Sequence, residues 1–415
     1  MKEKQDKIDR RNFLQKIGAV GFGSVFASAE AVAAAGEPDA AKKDQKPKAP
    51  QVPRRKLGKT RVKIPCLTFG TFQVDVSNQI LLRKTLQFGV NCWDTAYNYG
   101  GGNSELGIGK FLTKNAKVRK NLFLITKASG ARTVKDVENR LQTSLKRMNT
   151  DYIDLYHGIH QCSNPARLTN DLKQWAESAK KRKLIKHFGI TTHENMAKVL
   201  AAASKLDWIE VVMTPYNFRL MQDKELQAAI DACHKAGKGI MAMKTQGLGQ
   251  KIQTEADKKL VSHFLQRDFT KGQAKVKAVL QDKRFASACV GMKVVKVLNS
   301  NVAAVLDKTK LTQTDIETFK QVARETCSSY CAGCAYICDA ALPDVLRPGR
   351  ISDIMRYLMY YNSYGEQAQA RELFAQMPAK VRDELLSTDY SVAEARCPQH
   401  LAISELVVEA AGKLA

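Results

Sequence analysis

The sequence lacks a long run of apolar residues. Its apolar stretch near the N-terminus, residues 17–29, is short and rich in Gly, Ser and Ala. Because a helix that spans a bilayer needs about 20 mostly apolar residues, we predict no stable membrane span. The sequence also lacks a basic motif interleaved with aromatic residues. The net charge of +25 favours an anionic partner, but without such a motif we predict no nucleic-acid partner.

The glycine fingerprint of an open dinucleotide-binding sheet is also missing. No G-x-G-x-x-G follows the first predicted strand, and Gly100, Gly101 and Gly102 follow the second without that spacing. This absence disfavours a doubly wound sheet. Short apolar runs alternate instead with helical patterns, for example over 134–148, 171–183 and 224–236. Strands are predicted at 64–70, 91–96, 122–127, 152–160, 186–191, 209–215, 239–244 and 287–291.

Eight strands that alternate with helices predict an α/β protein with a parallel sheet. Eight such units suit closure into a (β/α)8 TIM barrel, which we place at residues 54–315. In such barrels the chemistry lies at the C-terminal ends of the strands. The functional residues are therefore expected at those ends.

Paired arginines, Arg10 and Arg11, precede the apolar stretch, and residues 31–35 offer an A-x-A cleavage site. Residues 1–36 resemble a twin-arginine signal peptide, which implies a periplasmic or otherwise exported protein. A short amphipathic or transmembrane helix is the alternative. Residues 37–53 are rich in Lys, Pro and Asp and are predicted to be a linker.

Four polar residues converge on the predicted rim of the barrel. Asp94 lies near the end of the second strand and Tyr99 just after it, Lys127 ends the third and His160 ends the fourth. A phenol is a weak acid, with a pKa near 10. A nearby ammonium stabilises phenolate, and a carboxylate behind the lysine keeps that lysine charged. A histidine beside them can orient a substrate carbonyl.

Residues 94–100 match the signature D-T-A-x-x-Y-G in full. The chain resembles the aldo/keto reductase family over residues 54–307, and residues 55–60 resemble the segment that precedes the first strand of that family. The resemblance implies an NADP-dependent oxidoreductase that interconverts a small carbonyl compound and an alcohol. Tyr99 would be the general acid, with Asp94, Lys127 and His160 completing a tetrad.

The histidine of the tetrad lies one residue later than the family spacing from Asp151. A β-bulge at Gly158 would absorb the extra residue and restore the aim of His160. His157 is the other candidate for this histidine. If it is not the catalytic histidine, His157 is expected to lie outside the active site.

The resemblance also implies a nucleotide pocket, with several departures from the family pattern. Thr191 and Thr192 stand where a Ser-Asn pair holds the carboxamide, and Met213 stands where glutamine is common. A glycine, a helix N-terminus and a cation suit a phosphate, so Lys293 favours NADP over NAD. Ser300 replaces an acidic neighbour of Asn301, which would bind adenine. The implied contacts are Thr191, Thr192, Met213, Met243, Lys244, Gly291, Met292, Lys293 and Asn301.

The ten cysteines fall into two groups. Five are scattered through apolar segments and are predicted to be small buried side chains: Cys66, Cys92, Cys162, Cys233 and Cys289. The others form the run Cys327-x3-Cys331-x2-Cys334-x3-Cys338, followed later by Cys397-Pro398.

This second pattern is typical of ferredoxin-like iron–sulfur domains, and segments of residues 316–415 resemble the tails of some exported aldo/keto reductases. We predict a small, mainly helical domain, with helices near 351–365 and 368–376. The predicted ligands of one 4Fe–4S cluster are Cys331, Cys334, Cys338 and Cys397, with Cys327 spare or substituting. Zinc and disulfides are the alternatives.

The predicted cluster leaves two functional hypotheses open, of which the first is the oxidoreductase described above. Hydride transfer moves two electrons, whereas a single 4Fe–4S centre passes one, and no flavin motif is visible to divide the pair. The cluster is therefore structural or exchanges electrons with a redox partner protein. The second hypothesis is a redox-responsive binding or electron-transfer protein that keeps the barrel without turnover.

Overall fold

The computed structural model describes residues 49–246, 255–325, 331, 335–338, 341–342, 351–364, 367–397 and 399–415. The chain divides into two compact units, Met1–Gln51 and Val52–Ala415. Within the described end of the first unit, the side chain of Gln51 donates a hydrogen bond to the carbonyl of Ala49 at 2.8 Å. The predicted signal peptide, residues 1–36, lies outside the described residues, and the barrel and the C-terminal helices belong to the second unit.

Eight parallel strands form a closed barrel, in the order β10-β3-β4-β5-β6-β7-β8-β9. The predicted (β/α)8 barrel is therefore confirmed. Its strands are β3 (Leu67–Gly70), β4 (Cys92–Asp94), β5 (Phe123–Lys127), β6 (Ile153–Ile159), β7 (Ile185–Thr191), β8 (Val211–Pro215), β9 (Gly239–Met243) and β10 (Ser287–Gly291).

The first predicted strand, 64–70, is divided in the structure. Its start belongs to a separate antiparallel hairpin of β1 (Arg54–Lys56) and β2 (Lys63–Pro65), in which Arg54 pairs with Pro65. Pro65 has no N–H for a sheet bond, and the N–H of Cys66 donates to the carbonyl of Pro53 at 2.8 Å. The barrel strand therefore begins only at Leu67.

Helices connect the barrel strands, and α3 shows how local sequence sets their bounds. The Thr133 hydroxyl accepts a bond from the Asp136 N–H, and the Asp136 carboxylate accepts one from the Thr133 N–H. This capping box starts α3 at its predicted position. The helices of this part are α1 (Gln79–Gln87), α2 (Asn103–Lys114), α3 (Val134–Met148), α4 (Asn170–Lys181), α5 (Met196–Ser204), α6 (Lys224–Lys235), α7 (Glu255–Gln266), α8 (Lys271–Gln281), α9 (Val295–Leu306) and α10 (Gln313–Glu325).

The C-terminal part is helical, as the sequence predicts. Its helices pack around their own apolar cluster, which includes Ile354, Leu358, Val407 and Ala410. The helix predicted over 351–365 is an α-helix to Met359 and continues as a π-turn over Tyr360–Tyr364. The helices are α11 (Ala335–Cys338), α12 (Ile351–Met359), α13 (Gln367–Ala375), α14 (Ala379–Glu384), α15 (Ser391–Arg396) and α16 (Ile403–Leu414).

Within the described ranges, no helix combines the length and apolarity that crossing a membrane requires.

Candidate active site

Lys127 connects two of the predicted catalytic side chains at the C-terminal rim. Its Nζ lies 2.7 Å from Asp94 Oδ2 and 3.5 Å from Tyr99 Oη. Nζ also donates to the carbonyl of Thr95 at 2.6 Å. The Lys127–Asp94 pair is buried, with side chains that are 1% and 5% exposed. The predicted relation of carboxylate, ammonium and phenol is therefore present in the geometry.

The environment of Asp94 is apolar enough to affect its ionisation. Burial raises the pKa of Asp94, and the Lys127 ammonium opposes that rise. The Cys289 thiol, whose own pKa is raised by burial, lies with its Sγ 3.6 Å from Asp94 Oδ2. Since a buried charge is costly without a partner, the Lys127 ammonium stabilises the Asp94 carboxylate against the effect of burial.

A glycine turn places Tyr99 over the lysine. Gly100, Gly101 and Gly102 all have left-handed backbone angles, with φ of 57°, 64° and 98°. Residues other than glycine rarely adopt this backbone conformation. A Cβ at Gly102 would also lie 2.6 Å from Cζ of Arg147. The three glycines therefore serve the turn that carries Tyr99, which the sequence reasoning did not assign to them.

Arg147 supports the same turn from α3. Its Nη1 donates to the carbonyl of Tyr97 at 2.7 Å and to Oε2 of Glu105 at 3.1 Å. Glu105 is fully buried and also accepts a bond from the Thr126 hydroxyl at 2.7 Å. This network joins the loop after β4 to α2, α3 and β5.

The histidine register contains the expected irregularity. The pairing of β6 with β7 shifts between His157 and Ile159, so Gly158 is the extra residue of a bulge. His160 then lies at the rim, with its ring centroid 6.2 Å from that of Tyr99. His157 is fully buried, and neither of its ring nitrogens has a hydrogen-bond partner among the described residues. Of the two candidates, His160 is the one beside the phenol.

His160 is held in one orientation and kept neutral. Its Nδ1 lies 2.7 Å from the Ser129 hydroxyl, which leaves Nε2 for a substrate oxygen. Desolvation lowers the pKa of His160 well below its ordinary value, and the positive charge of Lys127 adds to the effect. Neutral imidazole can orient a carbonyl by hydrogen bonding without competing with Tyr99 as the acid.

The predicted nucleotide residues differ in how available they are. The Thr191 hydroxyl accepts a bond from the Gln161 N–H at 2.9 Å, so its own O–H remains a donor. The Thr192 hydroxyl instead donates to the carbonyl of Glu194 at 2.8 Å. Met213 packs in the apolar interior of the barrel, and Met243 is partly buried against the same cluster.

The segment before α9 is open. Gly291 and Lys293 are exposed, and a Cβ at Gly291 would meet no atom within 4 Å. Met292 and Asn301 are buried.

Lys244, the predicted nucleotide contact after β9, has a left-handed φ of 51°. Desolvation lowers the pKa of its amine to about 7.

Three of the predicted cluster ligands share one region of the C-terminal part. Cys338 and Cys397 belong to its apolar cluster, and Cys331 packs against that cluster. Among the described residues, however, no group of three or more Cys, His, Asp or Glu side chains is arranged to hold a metal ion. Cys327 and Cys334 lie outside the described residues.

Comparison with known proteins explains the arrangement of the rim. Residues 67–332, more than half of the chain, match the family model described as "Aldo/keto reductase family". The chain belongs to the aldo/keto reductase family. The tetrad geometry and the bulge before His160 are thus features of a family member.

Individual relatives are distant. The chain is 27% identical over 192 residues to the "Aldo-keto reductase yakc [NADP(+)]" of Schizosaccharomyces pombe, covering 41% of this chain and 54% of that protein. It is 24% identical over 316 residues to the "L-glyceraldehyde 3-phosphate reductase" of Escherichia coli O157:H7, covering 63% of this chain and 90% of that protein. With the first of these, as with two further relatives, the match spans only about half of the relative's length.

Solved structures agree on the fold. The holo form of the aldo-keto reductase AKR11C1 from Bacillus halodurans has a TM-score of 0.55 at 20% identity, with 66% of this chain and 96% of that chain covered. The thermostable aldo-keto reductase Tm1743 has the same TM-score at 23% identity, with coverage of 65% and 100%.

Two residues of the rim escaped prediction because no local signal marks them. Glu194 and Arg356 form a buried ion pair, with 3.1 Å between Arg356 Nη2 and Glu194 Oε1. They are 162 positions apart in the sequence. The packing of the C-terminal part against the barrel brings these two side chains together.

Proposed function

We propose that this protein is an NADP(H)-dependent oxidoreductase that interconverts an aldehyde or ketone and the corresponding alcohol. The observation that carries the proposal is the position of the Lys127 ammonium, between Asp94 at 2.7 Å and the Tyr99 hydroxyl at 3.5 Å. Such an ammonium stabilises a phenolate and so makes the phenol a stronger acid. Membership of the family supports the same reaction.

Each residue of the tetrad has a distinct task in this proposal. A nicotinamide nucleotide, when bound, would supply the hydride for the carbonyl carbon. The Tyr99 hydroxyl gives its proton to the carbonyl oxygen, and the phenolate takes a proton from solvent afterwards. Lys127 stabilises that phenolate, while Asp94 keeps Lys127 charged and in place. His160 Nε2 orients the carbonyl oxygen toward Tyr99.

The described residues fit a nicotinamide nucleotide in part. The Thr191 hydroxyl retains a donor for a carboxamide oxygen. The open segment at Gly291, followed by the exposed Lys293 and the start of α9 at Val295, suits a phosphate. We assign the 2′-phosphate of NADP to Lys293 and adenine to Asn301.

We also propose that the C-terminal part holds one 4Fe–4S cluster through Cys331, Cys334, Cys338 and Cys397. Support comes from the cysteine spacing and from the packing of three of these cysteines at one apolar cluster. The cluster is an accessory centre in this proposal and takes no step in the tetrad chemistry. Its role is structural or is electron exchange with a redox partner protein.

We further propose export through a twin-arginine signal, on the strength of Arg10, Arg11 and the small residues that follow. Fractionation of the source cells tests this. The native chain is expected in the periplasm or medium, and a variant with Lys at both arginines is expected to stay inside. Equal distribution of both chains would contradict the proposal.

A second function, a redox-responsive binding or electron-transfer protein that keeps the barrel without turnover, is favoured by one observation. Met213 packs in the barrel interior, at the position where a glutamine is common in the family.

Anaerobically purified full-length protein, mixed with NADPH and a panel of aldehydes, separates the two functions. We expect aldehyde-dependent loss of NADPH absorbance. The absence of both aldehyde turnover and NADPH fluorescence quenching would favour the second function.

A further inference from the structure

Four polar side chains meet at the rim beside the tetrad, and the reaction as proposed does not use their charges. His193 and Glu194 follow β7, Lys244 follows β9, and Arg356 comes from α12 of the C-terminal part. We call this group the rim cluster. His193, Glu194 and Arg356 are 7%, 5% and 7% exposed, and Lys244 is partly buried. A group with this much charge is rarely buried without a purpose or a full set of partners.

The guanidinium of Arg356 is only partly satisfied. Nε and Nη2 both point at Glu194 Oε1, at 3.2 and 3.1 Å. Nη1 is buried and has no hydrogen-bond partner among the described residues. Because an unpaired donor of a buried cation is costly, Nη1 lacks, within the described part of the chain, the acceptor oxygen that such a group normally has.

Two neighbours of Arg356 are also underused. In the described residues, the hydrogen bond of Lys244 Nζ goes to the thioether sulfur of Met359 at 3.7 Å, and a thioether is a weak acceptor. Nδ1 of His193 is buried without a partner in the same part of the chain. The rim cluster thus presents the Arg356 guanidinium, the Lys244 amine, whose pKa burial lowers to about 7, and a spare imidazole nitrogen beside the carboxylate of Glu194.

The groups that face this cluster include further acids. Tyr360, Asp353, which lies one turn before Arg356 on α12, and the proposed cluster ligand Cys331 all act on Arg356, and Cys331 also acts on Lys244. The hydrogen bonds of Arg356 within the described residues nevertheless go to Glu194 alone. These acids therefore lower the positive field but supply no acceptor for Nη1.

The rim cluster borders the place where the substrate carbonyl would lie. The ring centroid of His193 is 5.9 Å from that of His160, which in turn is 6.2 Å from that of Tyr99. Arg356 and Lys244 both act electrostatically on His193, and Arg356 acts on His160 as well. A short substrate with its carbonyl at Tyr99 can therefore extend toward these cations.

We propose that Arg356, assisted by Lys244, binds a carboxylate of the substrate, so that the natural substrate is an anionic aldehyde or ketone. The proposal rests on the proposed function and specifies its substrate class. A planar guanidinium suits a carboxylate, and Glu194 already occupies one side of it. The phosphates of the nucleotide are the other source of anionic oxygens. We favour the substrate because His193, which follows β7, lies beside His160, and β8 and β9 separate β7 from β10, which the candidate phosphate segment follows. Lys244 follows β9, the neighbour of β10, and is itself a predicted nucleotide contact, so Arg356 is given the main role and Lys244 only an assisting one.

The test compares succinic semialdehyde with butyraldehyde, which have equal chain length and differ in the carboxylate. Full-length protein, purified without oxygen, is assayed with NADPH as wild type, Arg356→Gln, Arg356→Lys and Glu194→Gln. In Arg356→Gln, the ratio of kcat/KM for succinic semialdehyde to that for butyraldehyde is expected to fall roughly 10- to 100-fold, mainly through KM. Arg356→Lys should restore part of the ratio.

Glu194→Gln separates binding from a merely structural ion pair. It removes the carboxylate that competes for Arg356, so the KM for succinic semialdehyde is expected to fall and the ratio to rise. If instead both Arg356→Gln and Glu194→Gln impair the two aldehydes equally, the pair is only structural and the proposal is overturned. It is also overturned if Arg356→Gln weakens NADPH binding and leaves the ratio unchanged, because the anion is then a nucleotide phosphate.

A binding measurement keeps the proposal testable if the protein reduces neither aldehyde. Isothermal titration calorimetry with butyrate and with butyramide needs no turnover. Butyrate is expected to bind wild type more tightly than butyramide does, to bind Glu194→Gln more tightly than wild type, and to lose that advantage in Arg356→Gln. Equal binding of butyrate and butyramide to wild type would overturn the proposal, whereas absent turnover with these results intact would overturn only the proposed function.

Discussion

The ammonium of Lys127 and the carboxylate of Asp94 form a buried ion pair, with Nζ 2.7 Å from Oδ2. The other carboxylate oxygen, Oδ1, is buried without a hydrogen-bond partner among the described residues. Lys127 is therefore the cation that stabilises the Asp94 carboxylate, and in the proposed mechanism it also stabilises the Tyr99 phenolate.

Lys127→Met should reduce both activity and stability. It removes the cation that stabilises the Tyr99 phenolate, so kcat/KM for aldehyde reduction is expected to fall by about 100-fold or more. It also leaves Asp94 unpaired, which costs about 3–5 kcal/mol for a buried charge. Steady-state kinetics and urea unfolding measure the two effects.

The double variant Lys127→Met with Asp94→Asn is the matched control. Removing both charges avoids the unpaired carboxylate, so most of the lost stability should return while activity stays low. Recovery of activity in the double variant would contradict the role given to Lys127.

Gly102→Ala should disturb the turn that carries Tyr99. The new Cβ would lie 2.6 Å from the Arg147 guanidinium, and φ at this position is 98°. We expect a loss of about 1–3 kcal/mol in the free energy of unfolding and a lower kcat. Gly101→Ala is the control, because its φ is also positive but a Cβ there meets nothing within 4 Å. A larger effect at Gly101 than at Gly102 would show that the contact with Arg147 is unimportant.

Acid should destabilise the protein through its buried histidines. Desolvation lowers the pKa of His157, His160 and His193 well below 6.5. The unfolded chain therefore takes up protons below about pH 6.5 that the folded chain refuses, and stability falls with pH. Each histidine contributes up to about 1.4 kcal/mol per pH unit. The raised pKa of Asp94 has the opposite effect on stability, because the folded chain takes up this proton more readily than the unfolded chain. Asp94 is one group, whereas three histidines act in the other direction.

Urea unfolding at a series of pH values measures this dependence. His157→Asn should reduce the slope by about one histidine's share, while replacement of the exposed His234 on α6 should not change it. Constant stability between about pH 7 and pH 5 would contradict the assignment of neutral buried imidazoles.

Anaerobic protein should contain iron and acid-labile sulfide in a ratio near one to one, as a 4Fe–4S cluster requires. Cys338→Ser should lower both contents. Cys233→Ser should not, because Cys233 is buried on α6 with its thiol 3.2 Å from the carbonyl of Leu200. Zinc without sulfide would refute the cluster.

Periodicity was sufficient to predict the barrel, because alternating strands and helices have few other ways to pack. It placed the start of the first strand too early. Ile64 and Pro65 extend the apolar pattern, but they belong to the β1–β2 hairpin that precedes the barrel strand. The bulge at Gly158 was predictable from spacing, because one extra residue reverses the side-chain direction in a strand.

The rim cluster was not predictable. Arg356 lies in a helix whose apolar pattern describes its packing, and nothing near it indicates Glu194 as a partner. The role of the three glycines at Tyr99 was also missed, because a glycine run matches several functions until its backbone angles are known. Long-range packing decides both features.

Replacement of Tyr99 by phenylalanine is the most direct test of Tyr99 as the proton donor. Tyr99→Phe is expected to lose roughly 100- to 10,000-fold in kcat for NADPH-dependent aldehyde reduction, the usual contribution of a general acid. The affinity for NADPH, measured by fluorescence quenching, should change little because the nucleotide contacts lie elsewhere. Turnover equal to that of wild type would contradict the tetrad mechanism.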